Sequence, residues 1–169
     1  FGNTLIYEKD FNLYTNDKNK LISMIVSNAN QTEGHKLRHS CKNFLNKKID
    51  LFGHAANNWI ENKIDGCKNY MFQVVIENSK YDYYFSEKII DCFLSGTIPI
   101  YWGTTKVLEH FDPNGIIMFN NENELLDIVN NLTFKDYYSK IESVKKNYEL
   151  GKLYSYSEDW IFINYPFLF

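Results

Sequence analysis

YMFQVVIENSKYDYYFSEKIIDCFLSGTIPIYWG, residues 70–103, holds one complete cycle of strand, loop, helix and strand. The run 71–76 is apolar, rich in β-branched and aromatic residues, and short, as a buried strand is. A polar, aromatic loop covers 77–85. Ser86-Glu87-Lys88 then opens a helix whose apolar residues Ile89, Ile90, Phe93 and Leu94 fall on one side of a 3.6-residue period. Gly96 stands where a helix C-terminus turns left-handed, residues 97–102 form a second strand, and Gly103 closes it. Such a unit pairs its strands in parallel, with a right-handed crossover.

In a parallel α/β sheet, ligands sit beyond the carboxyl ends of the strands. Glu77, Asn78, Tyr84, Glu87 and Lys88 would gather there. The helix beginning near Ser86 turns unpaired N–H groups and the positive end of its dipole toward that space, which suits a phosphate. Lys88 adds a full charge. Glu87 would repel a phosphate, yet a carboxylate is well made to accept hydrogen bonds from two neighbouring hydroxyls. Phosphate on Lys88 and the helix end, with ribose on Glu87, describes a nucleotide held by its middle.

Upstream, residues 20–27 form a continuous apolar strand, central and parallel by its composition. A loop follows, then a helix over 35–48 with Leu37, Cys41, Phe44 and Leu45 on one face. His35 and His39 lie four apart on that helix, a metal-compatible spacing, but without a carboxylate or thiol partner they read as a solvated face or a phosphate neighbour. Residues 49–54 give another strand and a turn, Gly53-His54-Ala55-Ala56, where His54 either reaches a nucleotide or is solvated. Residues 59–70 read as a short helix with Trp59, Ile60, Ile64 and Cys67 inward.

Downstream, residues 104–111 read as a helix capped by threonine. Asp112-Pro113-Asn114-Gly115 is a turn, and 115–119 is the last strand. Helices follow over 121–132 and 134–148, the second with Tyr137, Ile141, Val144 and Tyr148 inward. The tail is apolar after Trp160 but too short to span a bilayer; it is expected to pack on a partner domain or back on this one. Five short strands alternating with helices make a single doubly wound α/β domain, Rossmann-like, over 20–169, with 1–19 as a lead-in or interdomain linker.

The chain has 169 residues, 44% hydrophobic and 23% charged, with net charge −3, so neither a nucleic-acid surface nor a disordered chain is indicated. Aromatic residues reach 17%, mostly a matter of composition. Cys41, Cys67 and Cys92 are odd in number and have no metal spacing. A reducing, cytoplasmic compartment fits them best. No transmembrane run or signal peptide occurs in the sequence. Because Phe1 is the first residue, a longer polypeptide is one reading of the chain.

Ile76-Glu77-Asn78-Ser79, Tyr84, Glu87-Lys88 and Ser95-Gly96-Thr97-Ile98-Pro99-Ile100-Tyr101-Trp102-Gly103, in this order, resemble the donor-binding motif of the α-1,3-fucosyltransferases, glycosyltransferase family ten. The resemblance implies the C-terminal, donor-binding half of a two-domain GT-B glycosyltransferase. Its donor would be a nucleotide sugar, GDP-fucose by preference, and its acceptor a glycan hydroxyl attacked with inversion. It implies that Arg38, placed after a strand, a Ser27-Asn28 pair and a variable loop, contacts the donor phosphates. Arg38 is the only arginine among the 18 Lys and Arg residues, and its planar fork can hold two phosphate oxygens.

The donor-binding set is therefore Arg38, Asn78, Tyr84, Glu87 and Lys88, with Tyr84 and Asn78 positioning sugar or phosphate. The catalytic residue is unassigned. The family's general base is a glutamate of an N-terminal acceptor domain that has no counterpart in this sequence, and Glu77 is a weaker candidate that could instead orient its loop. No Asp-x-Asp sequence occurs, so no metal or other cofactor is expected. A different nucleotide sugar, or a non-catalytic nucleotide-binding module, are the alternatives.

Overall fold

Lys20–Ile25 forms strand β1 in the computed structural model, which describes residues 3–168. Helix α1 (Glu33–Leu45) leads to β2 (Asp50–Phe52). Then come β3 (Tyr70–Ile76), α2 (Glu87–Leu94) and β4 (Ile98–Trp102), the unit expected at 70–103. Strand β5 (Ile117–Met118) and helices α3 (Glu122–Asn131), α4 (Phe134–Tyr138), α5 (Ile141–Lys152) and α6 (Ser157–Asn164) complete the order.

The sheet runs β2-β1-β3-β4-β5 with every pairing parallel. β3 and β4 are buried along their whole lengths, as their unbroken apolar sequences require. Alternation along them sorts side chains to two faces. Phe72, Val74, Ile76, Ile98, Ile100 and Trp102 join Cys41, Leu45, Leu125 and Tyr137 on one face. Val75 and Tyr101 join Ile89, Ile90, Phe93 and Phe111 on the other. α1 and α2 thus cover opposite faces, as right-handed crossovers running in opposite directions along the sheet must.

Ser86 caps α2, its hydroxyl accepting from the Lys88 N–H. Gly96 is left-handed, φ 65°, as its position after α2 predicted. It has a second constraint, because a Cβ there would lie 1.9 Å from the Leu13 carbonyl oxygen. That contact belongs to the lead-in. Residues 3–19 lie against the domain, with Thr4, Ile6 and Lys18 buried and the Asn12 N–H donating to the Leu94 carbonyl at 3.2 Å.

Three expected helices differ. Residues 59–70 form only a 3-10 turn, Lys63–Gly66, and Trp59 is 64% exposed, stacked on His54 rather than facing inward. Gly66 packs directly under Ile25 and gives its carbonyl to the Ser23 hydroxyl at 2.6 Å, which a regular helix would not allow. Residues 104–111 tighten to the 3-10 turn Thr105–Glu109, capped by Thr104 as expected. The helix expected at 134–148 breaks at Ser139 and Lys140. Beyond the break Ile141 and Val144 face the core as expected, but the next position differs. Asn147, not Tyr148, is buried, and its side chain bonds the Asp112 backbone at 2.7 and 3.0 Å, docking α5 on the turn before β5.

Helix α6 has no buried residue, and Phe162, Ile163, Phe167 and Leu168 are exposed. Among the described residues no helix is long and apolar enough to cross a membrane.

Candidate functional site

β1 and β3 are neighbours, but the chain leaves β1 toward one edge of the sheet and β3 toward the other. The connections part above their carboxyl ends, and a crevice opens at that switch point. It has a volume of about 320 Å³ and is lined by residues of β1, α1, β3 and α2 and by Lys63.

The first turn of α1 builds one wall. Thr32 is the N-cap, its hydroxyl accepting from the His35 N–H at 3.2 Å, and the His35 ring Nδ1 accepts from the Thr32 N–H at 3.3 Å. His35 thus completes a capping box, the part usually played by Glu or Gln. Burial and then the nearby Arg38 and Lys88 push its pKa down, so the ring is neutral and its Nδ1 is committed to the cap. His39 bonds the Ala29 carbonyl at 3.0 Å. Both histidines therefore hold the loop, although His35 also lines the cleft. Among the described residues no three His, Cys, Asp or Glu side chains are grouped as a metal would need.

Gly34 brings this wall close to β3. A Cβ at Gly34 would stand 1.7 Å from the Glu77 carbonyl oxygen, and the Gly34 N–H donates to the Asn78 carbonyl at 3.0 Å. One turn later Arg38 reaches Asn78, its Nη2 donating to Asn78 Oδ1. Arg38 is only 7% exposed, and its Nε is buried without a hydrogen-bond partner. Among the described residues it makes no ion pair. Burial lowers its pKa while Glu77, Tyr84 and Glu87 act the other way; a guanidinium stays charged regardless. The result is a buried cation with an unused donor.

Opposite it, Glu77 is fully buried. Its Oε1 accepts from the Ser86 N–H at 2.9 Å and from the Tyr101 hydroxyl at 3.4 Å. Its Oε2 accepts from the Ser86 hydroxyl at 2.7 Å and from Lys88 Nζ at 3.3 Å. Glu77 therefore ties the end of β3 to the start of α2 and to β4. It belongs under the ligand space rather than in it. The same bonds leave Lys88 partly committed, with Ser86 Oγ at 2.8 Å and Glu87 Oε1 at 3.6 Å.

Glu87 lines the cleft beside Lys88. Burial pushes its pKa up, but Lys88 and Lys63 outweigh that and hold it below the ordinary value. Of the five residues expected to bind donor, Arg38, Asn78, Glu87 and Lys88 face one cleft. Tyr84 is not among the lining residues. It stands half-buried on the loop, its ring edge-on to Tyr81, with its pKa raised by burial and then by Glu77 and Glu87. His54 lies away from the cleft, against Trp59. Lys63 and Asp91 line it unforeseen. Asp91 carried a legible signal, a carboxylate set within the apolar run of α2.

The model of the glycosyltransferase family 10 (fucosyltransferase) C-terminal region matches residues 15–165. The α-(1,3)-fucosyltransferase of Helicobacter pylori is 37% identical over 83 residues, 47% of this chain and 17% of that protein. A putative fucosyltransferase of Acanthamoeba polyphaga mimivirus is 32% identical over 76 residues, 43% of this chain and 13% of its own. A solved α1,3-fucosyltransferase with GDP-fucose superposes with TM-score 0.60 at 27% identity, covering 82% of this chain and 41% of the other. The structure with GDP gives TM-score 0.60 at 29% identity over 78% of this chain and 39% of that one. The chain thus spans less than half the length of each.

Proposed function

Because the chain belongs to glycosyltransferase family 10, the fucosyltransferases, we propose that it binds a nucleotide sugar, GDP-fucose, as donor for inverting transfer to a glycan hydroxyl. The observation that carries this reading is Arg38, a buried guanidinium with an unpartnered Nε beside Asn78 at the mouth of the cleft. A buried cation without an ion-pair partner is costly, and a diphosphate would supply both the contact and the acceptor. Lys88 and the N–H groups at the start of α2 face the same anion. Glu87 accepts from the ribose hydroxyls. Asn78 holds the Arg38 fork in place, and Tyr84, on the neighbouring loop, positions the donor sugar or phosphate.

In transfer these groups stabilise the departing nucleoside diphosphate. The general base belongs to an acceptor domain elsewhere in the whole protein. Glu77 is unsuited to that role, since its two oxygens already accept from Ser86, Lys88 and Tyr101. Donor binding needs no divalent metal, because Arg38 and Lys88 oppose the phosphates. The cytoplasmic setting rests on three buried, unpaired thiols.

Calorimetric titration with GDP tests the reading. Binding that persists in EDTA is the expected result. Absence of binding at millimolar GDP would overturn the donor assignment, and binding abolished by EDTA and restored by manganese would overturn its metal independence.

A further inference from the structure

Glu87 and Asp91 are four residues apart on α2, a spacing at which like charges destabilise a helix. Lys63 stands between them. Its Nζ is 3.8 Å from Glu87 Oε1 and 3.5 Å from Asp91 Oδ2. The other Asp91 oxygen, Oδ1, accepts from the Thr4 hydroxyl at 2.5 Å and from the Leu5 N–H at 3.1 Å. Asp91 is thus gripped from two directions, by the segment preceding β1 and by the turn preceding β3.

Packing alone does not call for this arrangement. Every residue from Ile89 to Leu94 is buried, so an apolar residue in place of Asp91 would fill its site without the cost of desolvating a carboxylate. Buried ion pairs seldom add stability over well-packed apolar residues. What the arrangement does fix is a direction. Lys63 counters the repulsion between the two carboxylates and meets the same Glu87 oxygen, Oε1, that Lys88 approaches at 3.6 Å, so that oxygen is held between two ammonium groups. A carboxylate that must accept from two adjacent hydroxyls has to be held in one orientation.

We infer that Thr4, Asp91 and Lys63 form a positioning relay that orients the Glu87 carboxylate toward the ribose hydroxyls of the donor, making the segment before β1 a working part of the donor site. The inference rests on the proposed reading of Glu87 as the ribose ligand. Lys63 and Asp91 act through Glu87 and need not touch the nucleotide.

Titrations of the chain with GDP and with 2′,3′-dideoxy-GDP, which lacks both hydroxyls, test it. Glu87→Ala is the reference: it should weaken GDP and leave dideoxy-GDP nearly unchanged. Equal losses there would remove the ribose reading and the relay with it. Given that reference, Lys63→Gln should weaken GDP about ten-fold and dideoxy-GDP by less than about two-fold. It should add nothing in the double variant with Glu87→Ala, and Lys63→Arg should restore the preference for GDP. Equal losses for both ligands from Lys63→Gln would mean a direct phosphate contact. Equal losses, or additivity in the double variant, would overturn the relay while leaving Glu87 in place.

Thr4→Val keeps the shape of the side chain and should lower the GDP preference about three-fold. An unchanged preference in a variant with unchanged melting would overturn the part assigned to the segment before β1. A merely structural role would lower melting without moving the ratio of the two affinities.

Discussion

Two cations are sunk into this fold at opposite ends of its parallel strands, almost equally deep: Arg38 is 7% exposed and Lys18 is 5% exposed. Lys18 lies at the amino ends. It donates to the Cys67 carbonyl at 3.2 Å, the Ser95 carbonyl at 2.8 Å and the Thr97 hydroxyl at 2.7 Å, which uses all three of its protons. Arg38 lies at the carboxyl ends with its Nε unpartnered. Depth of burial therefore does not distinguish the two. The state of the donors differs: those of Lys18 are met by the protein's own oxygens, whereas the Arg38 Nε is buried without a partner.

Lys88 sharpens the contrast because it shares both characters. It faces the cleft, yet its ammonium answers the fully buried Glu77. Lys88→Ala should therefore lower stability by about 3 kcal/mol, the lower end for breaking a buried pair, besides weakening GDP. Urea unfolding measures the first effect, and an unchanged midpoint would place Glu77 outside the pair's influence.

Arg38→Ala should do the opposite. GDP affinity should fall by about 1.5–3 kcal/mol while guanosine, which has no phosphate, is almost unaffected. Unfolding should change little, since no carboxylate loses a partner. Equal losses for the two ligands would place Arg38 away from the phosphates and dissolve the comparison.

Lys18→Met should cost about 1–2 kcal/mol, chiefly through the Ser95 carbonyl left without its donor, with GDP affinity unchanged. Its pH dependence separates it further. Burial lowers the Lys18 pKa from 10.5 to about 7, with the neighbouring Cys67, Cys92 and Asp17 acting in the other direction. Below about 7 both folded and unfolded chains carry the proton and the group adds no slope. Above it the unfolded chain alone keeps the proton, so this group raises stability as pH rises, by about 1 kcal/mol between pH 7 and 8. That increment should be absent from Lys18→Met. An identical slope in the two proteins would show that Lys18 keeps its proton.

The sheet and four of the cleft residues were legible because their signals are local. Strand 71–76 is an unbroken apolar run, α2 shows a helical period, and Gly96 is left-handed at its end. Arg38 is marked by the resemblance to family ten, through its place after a strand, Ser27-Asn28 and a loop. Gly34 was not, since close approach to the Glu77 carbonyl is a contact between distant segments, and a glycine in a first helical turn looks merely permissive. The place of Lys63 is not legible, because the apolar spacing of 59–70 suggests a helix, whereas the loop found there is fixed by the Gly66 contact with β1. The Thr4 contact to Asp91 spans 87 residues and leaves no periodic trace. Glu77 was placed in the right region, but its burial comes from Ser86, Lys88 and Tyr101, which meet only once β4 has docked.

The lengths of the strands bear on how the protein behaves in concentrated solution. β3 has seven residues and β4 five, whereas the outermost strands, β2 and β5, have three and two. An outer strand with exposed backbone donors and acceptors is a template for another chain, and long flat ones invite stacking into fibrils. Here the longest apolar segments of the sheet are flanked on both sides, and what remains at the rim is too short to recruit a neighbour. Resistance to sheet-to-sheet polymerisation is thus written into the order of the strands, independently of net charge.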